Sequence, residues 1–210
     1  MQKTGMTILY KVGNNLYVNL TNRCPCSCTF CIRQGGDSVY EETEPLWLEH
    51  EPTFDEVKDA FAKQDMAQYN EVVFCGYGEP TEALDTLLAT AEWVKATYRK
   101  PTRLDTNGLG NLVNGRDITP LLKGKFDTVS ISLNSSNSEI YLERVRPKYN
   151  AASYPAMQEF ARNAAKYVPN VVLTTVSSTI SKEDEAACAE LCRQLGVKYR
   201  IREYVPIKKS

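Results

Sequence analysis

The stretch Glu71-Val72-Val73-Phe74-Cys75-Gly76-Tyr77-Gly78-Glu79-Pro80 decides how this chain is built. Its first five residues form a short β-rich run and two glycines end it. Pro80 suits a first helical turn, where the amide hydrogen it lacks would find no intrahelical partner anyway. The helix follows: Leu84, Leu87, Leu88, Ala91 and Val94 recur at helical spacing within residues 82 to 98. Thr102-Arg103-Leu104-Asp105-Thr106 then reads as another strand. A strand, a helix and a strand in immediate succession imply parallel strands joined by a right-handed crossover.

The same alternation extends in both directions. Upstream, residues 8 to 21 (ILYKVGNNLYVNLT) read as a hairpin closed at Gly13-Asn14-Asn15, whose second arm, 16 to 21, leads into a cysteine-rich loop. From Pro52, the residues Phe54, Val57, Ala60 and Phe61 share one face of a helix. Downstream come a short helix near 117 to 123, a strand at 128 to 133, helices near 138 to 145 and 153 to 167, a strand at 171 to 176, a helix at 182 to 195 and a strand at 199 to 205. That is six strands with helices between them, without a low-complexity linker or an internal repeat. A closed eight-unit barrel takes about 250 residues, so the expected fold is α/β, a single domain over 1 to 210 forming an open, partial (β/α)6 TIM-like barrel of parallel strands. Ligands in such folds sit beyond the carboxyl ends of the strands. Cys24 to Cys31, Gly76 to Pro80, Asp105 to Gly108 and Ser132 to Asn134 all fall at such ends, which predicts one shared site.

Composition narrows the chemistry. The 210 residues carry 25 basic and 26 acidic side chains, a net charge of −1, so no net field draws the protein to polyanions. No apolar run approaches the roughly 20 residues of a membrane span. The opening MQKTGMTILYKV meets a lysine too soon for a signal peptide, and a cytoplasmic location is expected. The one histidine, His50, lies in an acidic loop and reads as solvated; a lone ring cannot supply His-based zinc sites, Ser-His-Asp triads or HExxH centres. Seven cysteines in a reducing compartment point to metal or redox roles.

Four of those cysteines lie within eight residues: Cys24, Cys26, Cys28 and Cys31. Cys24-x3-Cys28-x2-Cys31 offers three thiolates on one loop, enough for three corners of a [4Fe-4S] cube with the fourth iron open to a non-protein ligand. Cys26 reads as a non-ligating spacer, because a CxC choice would crowd the ligands. A zinc-binding module is the alternative, with a fourth ligand from Cys26 or from Cys188 and Cys192, although zinc modules usually present two tight cysteine pairs. The loop resembles the defining motif of the radical S-adenosylmethionine (radical SAM) superfamily, in which an aromatic residue commonly precedes the last cysteine; Phe30 fills that position.

Other segments extend the resemblance. Gly76-Tyr77-Gly78-Glu79-Pro80 is similar to the glycine-glycine-glutamate-proline segment that holds the SAM amino group with backbone oxygens, with Tyr77 replacing one glycine. Taken alone it is also an ordinary strand-to-helix turn. Asp105-Thr106-Asn107-Gly108 resembles the DTNG of glycyl-radical-enzyme activases, which implies that Asp105, Thr106 and Asn107 lie beside the sulfonium and methionine portion of SAM; an Asn-Gly turn is the plainer reading. The resemblance places Ser132 and Asn134 against the ribose or methionine part. It offers Arg144 or Arg146, with the choice open, as a bidentate clamp on the carboxylate. The strand Arg200 to Tyr204 reads either as a frame for the adenine or the substrate, with Tyr204 as a contact, or as a solvated basic face. Cys75 reads as a small strand-end hydrophobe, and Cys188 and Cys192 as packing residues.

The resemblance covers nearly the whole chain and is nearest to the small radical SAM proteins associated with TatD-type hydrolases, with the activases and QueE-type enzymes as neighbours. It implies a [4Fe-4S] cluster and SAM as cofactors and an electron donor such as flavodoxin or ferredoxin. The implied reaction cleaves SAM reductively to methionine and a 5′-deoxyadenosyl radical, which takes hydrogen from an unidentified small molecule or, in an activase-type enzyme, from a partner protein. Residues 35 to 52 hold six acidic side chains with Tyr40, Leu46 and Trp47. They read as a lid, a docking insertion or a solvated loop, and their charge disfavours nucleic acid nearby.

Overall fold

The structure, a computed structural model, describes residues 5 to 35 and 45 to 203. Tyr204 and the 36 to 44 portion of the acidic segment lie outside the described residues. The strands are β1 (Leu9–Val12), β2 (Asn15–Val18), β3 (Glu71–Phe74), β4 (Thr102–Thr106), β5 (Thr128–Ser132), β6 (Asn170–Val176) and β7 (Lys198–Arg202). They form one sheet in chain order. β1 runs antiparallel to β2 and every later pair is parallel. The six expected strands are β2 to β7; the first arm of the hairpin adds a seventh at the edge, turned at Gly13 with φ +58°. The sheet is unclosed, an open partial barrel.

Alternation along each strand sorts the two faces. Leu16, Val72, Phe74, Leu104, Val129, Ile131 and Leu173 are fully buried beneath the helices. Those helices are α1 (Phe54–Ala62), α2 (Leu84–Tyr98), α3 (Gly110–Asn114), α4 (Ser138–Val145), α5 (Ser153–Ala164) and α6 (Lys182–Leu195). In the register the intervening residues lie on the other, inner face, among them Tyr17, Glu71, Arg103, Asp105, Ser130, Arg200 and Arg202. Closed barrels fill this space with branched apolar side chains; here it is polar and charged, so the space inside the sheet is suited to a polar guest.

Three differences from expectation have local causes. α3 escapes a periodicity search because it is barely one turn long, stopped by Gly115 in the left-handed conformation. The helix near 117 to 123 is a single 3-10 turn, Thr119–Leu122, entered through Asp117, which accepts from both Thr119 N and its hydroxyl. α5 ends at Ala164, where turns to Lys166 and Tyr167 replace further helix. His50 is exposed but engaged: its Nε2 lies 2.8 Å from Glu56, which forms a capping box with Thr53 at the start of α1. Hydrogen bonds from Thr53 and His50 hold the Glu56 carboxyl down at about 2.

The described end of the acidic segment is packed. Leu46 and Leu48 are buried, Gly5 N donates to Trp47 O at 2.8 Å, and the Asn19 and Asn22 amides donate to the Leu46 and Leu48 carbonyls at 2.8 and 2.7 Å. Among the described residues no helix is long and apolar enough to cross a membrane.

Candidate active site

The cysteine loop leaves β2 and is fastened on two sides. On one side, the carbonyls at the end of α4 need partners, since the last turn of a helix leaves its carbonyls unbonded. Ser27 N donates to Val145 O at 3.1 Å, Thr29 N donates to Arg144 O at 2.8 Å, and Lys148 N returns a bond to Pro25 O at 2.7 Å. On the other side, Glu79 N donates to Arg23 O at 2.8 Å. Arg23 itself is tied to Glu51 by Nε at 2.6 Å and Nη2 at 2.9 Å.

Within the loop Cys26 is buried and its thiol donates to both Cys24 and Cys28. That donation holds the Cys24 and Cys28 thiols below the ordinary cysteine range and pushes Cys26 up. Burial pushes Cys31 up. The opposite shifts divide the four residues as the spacing does, setting Cys26 apart from Cys24 and Cys28. The side-chain amide of Asn107 reaches the same group, 3.6 Å from Cys26 Sγ and 3.9 Å from Cys24 Sγ.

Glu79 organises the adjoining strand ends. Only 4% exposed, its carboxylate accepts from Thr106 Oγ1 at 2.6 Å, Asn107 N at 2.8 Å, and Thr81 Oγ1 and N at 2.8 and 3.2 Å. Burial raises its pKa against the pull of those bonds. One side chain thus joins the end of β3, the end of β4 and the first turn after Pro80. The glycines beside it serve packing. A Cβ on Gly78 would lie 2.2 Å from Thr21 O and 2.7 Å from Arg23 O, and one on Gly76 would lie 2.1 Å from Asn19 Oδ1. Glycine at a ligand site would also suit close approach of the backbone to the ligand, but here its side-chain space is filled by the chain entering the cysteine loop.

These elements enclose an open cavity of about 760 Å³, mouth included. Most of the sequence-predicted residues line it: Cys24, Cys28 and Cys31; Gly76 through Pro80; Asp105, Thr106 and Asn107; Ser132 and Asn134. Asn134 adopts φ +66°, a conformation Asn tolerates better than most residues. Phe30, half-buried in the loop, is not among the lining residues. Neither are Arg144 and Arg146, which meet the loop through their backbone carbonyls. Cys75 does face the cavity, with its thiol pushed by burial to about 12. Cys188 and Cys192 are buried in the core, 0% and 1% exposed.

Ser130, Tyr141 and Arg202, none of them marked by a sequence motif, also line the cavity. Period-two alternation on β5 and β7 marks Ser130 and Arg202 as inward-facing. Tyr141 carries no local signal, since its place depends on how α4 docks. Three buried polar atoms of the wall have no hydrogen-bond partner: Tyr141 Oη, Asp105 Oδ1 and Arg202 Nε. Asp105 lies 3.4 Å from Arg103 Nη1 without hydrogen-bond geometry, and burial raises its pKa despite that charge. Buried polar atoms are rarely left unpaired, so three in one cavity fit a polar ligand. Among the described residues no three Cys, His, Asp or Glu converge on a single metal position.

Residues 18–192 match the family model of the radical SAM superfamily. Curated relatives include the GTP 3′,8-cyclase of Corynebacterium glutamicum, 26% identical over 207 residues that cover 94% of this chain and 50% of the relative. GTP 3′,8-cyclase 2 of Mycobacterium tuberculosis is 27% identical over 202 residues, covering 94% and 52%. The chain thus spans about half the length of these relatives. Among solved structures, Streptococcus suis SuiB bound to the precursor peptide SuiA aligns with a TM-score of 0.68 at 18% identity, over 94% of this chain and 42% of that one. A radical SAM methyltransferase from Sphaerobacter thermophilus aligns at 0.62 with 15% identity, over 95% and 69%. The cysteine loop, the strand ends gathered around it and the family match lead to one conclusion: the chain belongs to the radical SAM superfamily, whose enzymes bind a [4Fe-4S] cluster and S-adenosylmethionine.

Proposed function

We propose that this protein is a radical SAM enzyme in which Cys24, Cys28 and Cys31 hold the cluster and the strand-end residues hold SAM. The observation that carries the reading is one cavity walled by the cysteine loop on one side and by unpartnered buried polar atoms on the other. When bound, cluster and SAM supply a reductive cleavage to methionine and a 5′-deoxyadenosyl radical that takes hydrogen from a substrate.

The chain's own residues orient and shield. Cys26, hydrogen-bonded to both, holds the Cys24 and Cys28 thiols below the ordinary cysteine range. The Asn107 amide stands over the sulfurs as a donor, the kind of outer contact that sets cluster potential. Glu79 fixes the two strand ends relative to each other, and backbone oxygens of the Gly76–Pro80 turn would hold the SAM amino group. Asp105, a carboxylate against Arg103, balances positive charge on the ligand, while Ser132 and Asn134 offer neutral hydrogen bonds to its ribose or carboxylate. Gly108 packs against Met157 and Ile131 beneath this wall, and the apolar layer below it keeps water from the floor. A cytoplasmic flavodoxin or ferredoxin supplies the electron, and the substrate is a small molecule or a partner protein.

Anaerobic reconstitution with iron, sulfide, SAM and dithionite tests the reading. A brown protein absorbing near 400 nm that forms 5′-deoxyadenosine supports it. A colourless protein that retains zinc, or a brown one that forms no 5′-deoxyadenosine, overturns it.

A further inference from the structure

The cations inside the sheet are unevenly matched. Arg103 is served, with Nε 3.1 Å from Glu71 and Nη1 3.4 Å from Asp105. Among the described residues Arg200 hydrogen-bonds only to the Ser130 hydroxyl, at 3.4 Å. Arg202 forms no ion pair within 4 Å among the described residues, although it lines the cavity and its Nε is buried without a partner. Positions 200 and 202 sit opposite Thr174 and Val176 in the register and point to the same face, so the two guanidinium groups stand together along β7. Arg200 is exposed and Arg202 half-buried, and the one carboxylate whose charge both feel, Asp105, is shared with Arg103, so the two lack a paired anion of their own. A guanidinium's planar fork matches a carboxylate or phosphate better than any neutral group.

We propose that Arg202, with Arg200 beside it, forms an anion-binding subsite that takes a carboxylate or phosphate group of the substrate. The inference rests on the reading of this cavity as a radical SAM site and narrows its substrate class. It assigns the anion to a second molecule because β7 lies at the other end of the strand order from the cysteine loop, while the functional reading already gives the ribose or carboxylate of SAM to Ser132 and Asn134 at the end of β5. The polar floor between them, Asp105 and Ser130, spans β4 and β5. Substrates without an anionic group leave Arg202 unpaired and are discriminated against, since a buried polar group stripped of its partner opposes binding.

The test titrates malonate and, separately, pyrophosphate into the reconstituted full chain by calorimetry, with and without saturating SAM. The expected result is binding of at least one probe, unaffected by SAM and weakened tenfold or more by Arg202→Gln, with the 400 nm absorbance retained. The stronger of the two probes distinguishes a carboxylate from a phosphate substrate. No binding of either probe, equal binding to Arg202→Gln, or displacement of the probe by SAM overturns the inference. Should Arg202→Gln fail to fold, Arg202→Lys decides: it keeps the charge but loses the fork, so wild-type affinity sinks the proposal and weakened affinity supports it. Absence of a cluster, or of SAM binding, in the wild type refutes the functional reading while leaving the probe titrations interpretable.

Discussion

Replacing Gly78 with alanine separates two reasons for a glycine beside this cavity. The added Cβ would sit 2.2 Å from Thr21 O and 2.7 Å from Arg23 O, closer than the 3.0 Å that real Cβ atoms respect. Both oxygens are backbone, so no side-chain rotation relieves the contact, and the segment entering the cysteine loop must move. Overpacking of this kind costs about 1 to 3 kcal/mol, and two rigid contacts argue for the upper end. At about 2.1 cal/mol/K per residue, a chain of 210 residues unfolds with an entropy near 0.44 kcal/mol/K, so about 3 kcal/mol lowers the melting temperature by about 7 °C. The displacement is passed on to Cys24, and iron bound per chain should fall with it. Gly115→Ala is the control: its φ of +63° costs about 1 to 2 kcal/mol in the left-handed region, but it faces open space and should leave iron content alone. Melting of the metal-free protein and iron analysis after reconstitution are the measurements. A Gly78→Ala protein that melts within 2 °C of wild type, as about 1 kcal/mol would allow, and binds full iron would refute the packing argument and return the glycine to ligand approach.

Other substitutions read the remaining assignments. Alanine at Cys24, Cys28 or Cys31 should abolish the [4Fe-4S] absorbance while Cys26→Ala keeps it; a normal cluster signal in Cys28→Ala would contradict the ligand set. Tyr141→Phe removes a buried hydroxyl with no partner, so the metal-free chain should gain about 1 kcal/mol while SAM affinity measured by calorimetry falls; a loss of stability would mean that the hydroxyl is already satisfied. Burial raises the folded pKa of Asp105 above its unfolded value of 3.8, so its contribution to stability is full below that value and is lost as pH rises through the folded pKa. Guanidinium titrations across that range should show a shallower decline for Asp105→Asn than for wild type; equal slopes would place Asp105 outside the low-dielectric wall.

What the sequence revealed followed repetition and local chemistry. Strands and helices repeat their periods over several residues, so β2 to β7 and α6, Lys182–Leu195, were legible to within a few residues. The cysteine spacing and the strand-end motifs are local too, and the structure brings them to one wall. Other features were invisible because they join distant segments. That Arg144 and Arg146 meet the cysteine loop through carbonyls follows from where α4 ends against it, not from the arginine side chains that attract notice in a sequence. Glu79 looked like one letter of a ligand motif, yet its four hydrogen bonds link strand ends whose proximity depends on sheet order. Gly78 has the same history: the clash that requires glycine comes from Thr21 and Arg23.

The clamp between the cysteine loop and the end of α4 also sets an order of events. Ser27 and Thr29 are made early, whereas the carbonyls of Arg144 and Val145 that hold them emerge only after β3, β4 and β5. Contacts between segments so far apart carry the entropic cost of closing a long loop and form late. On the ribosome, the first half of the chain therefore presents four thiols on an unclamped loop, open to adventitious metals and to oxidation. Iron-sulfur assembly is expected to follow the docking of α4, and nascent chains arrested before Val145 should fail to retain a cluster that the released protein keeps.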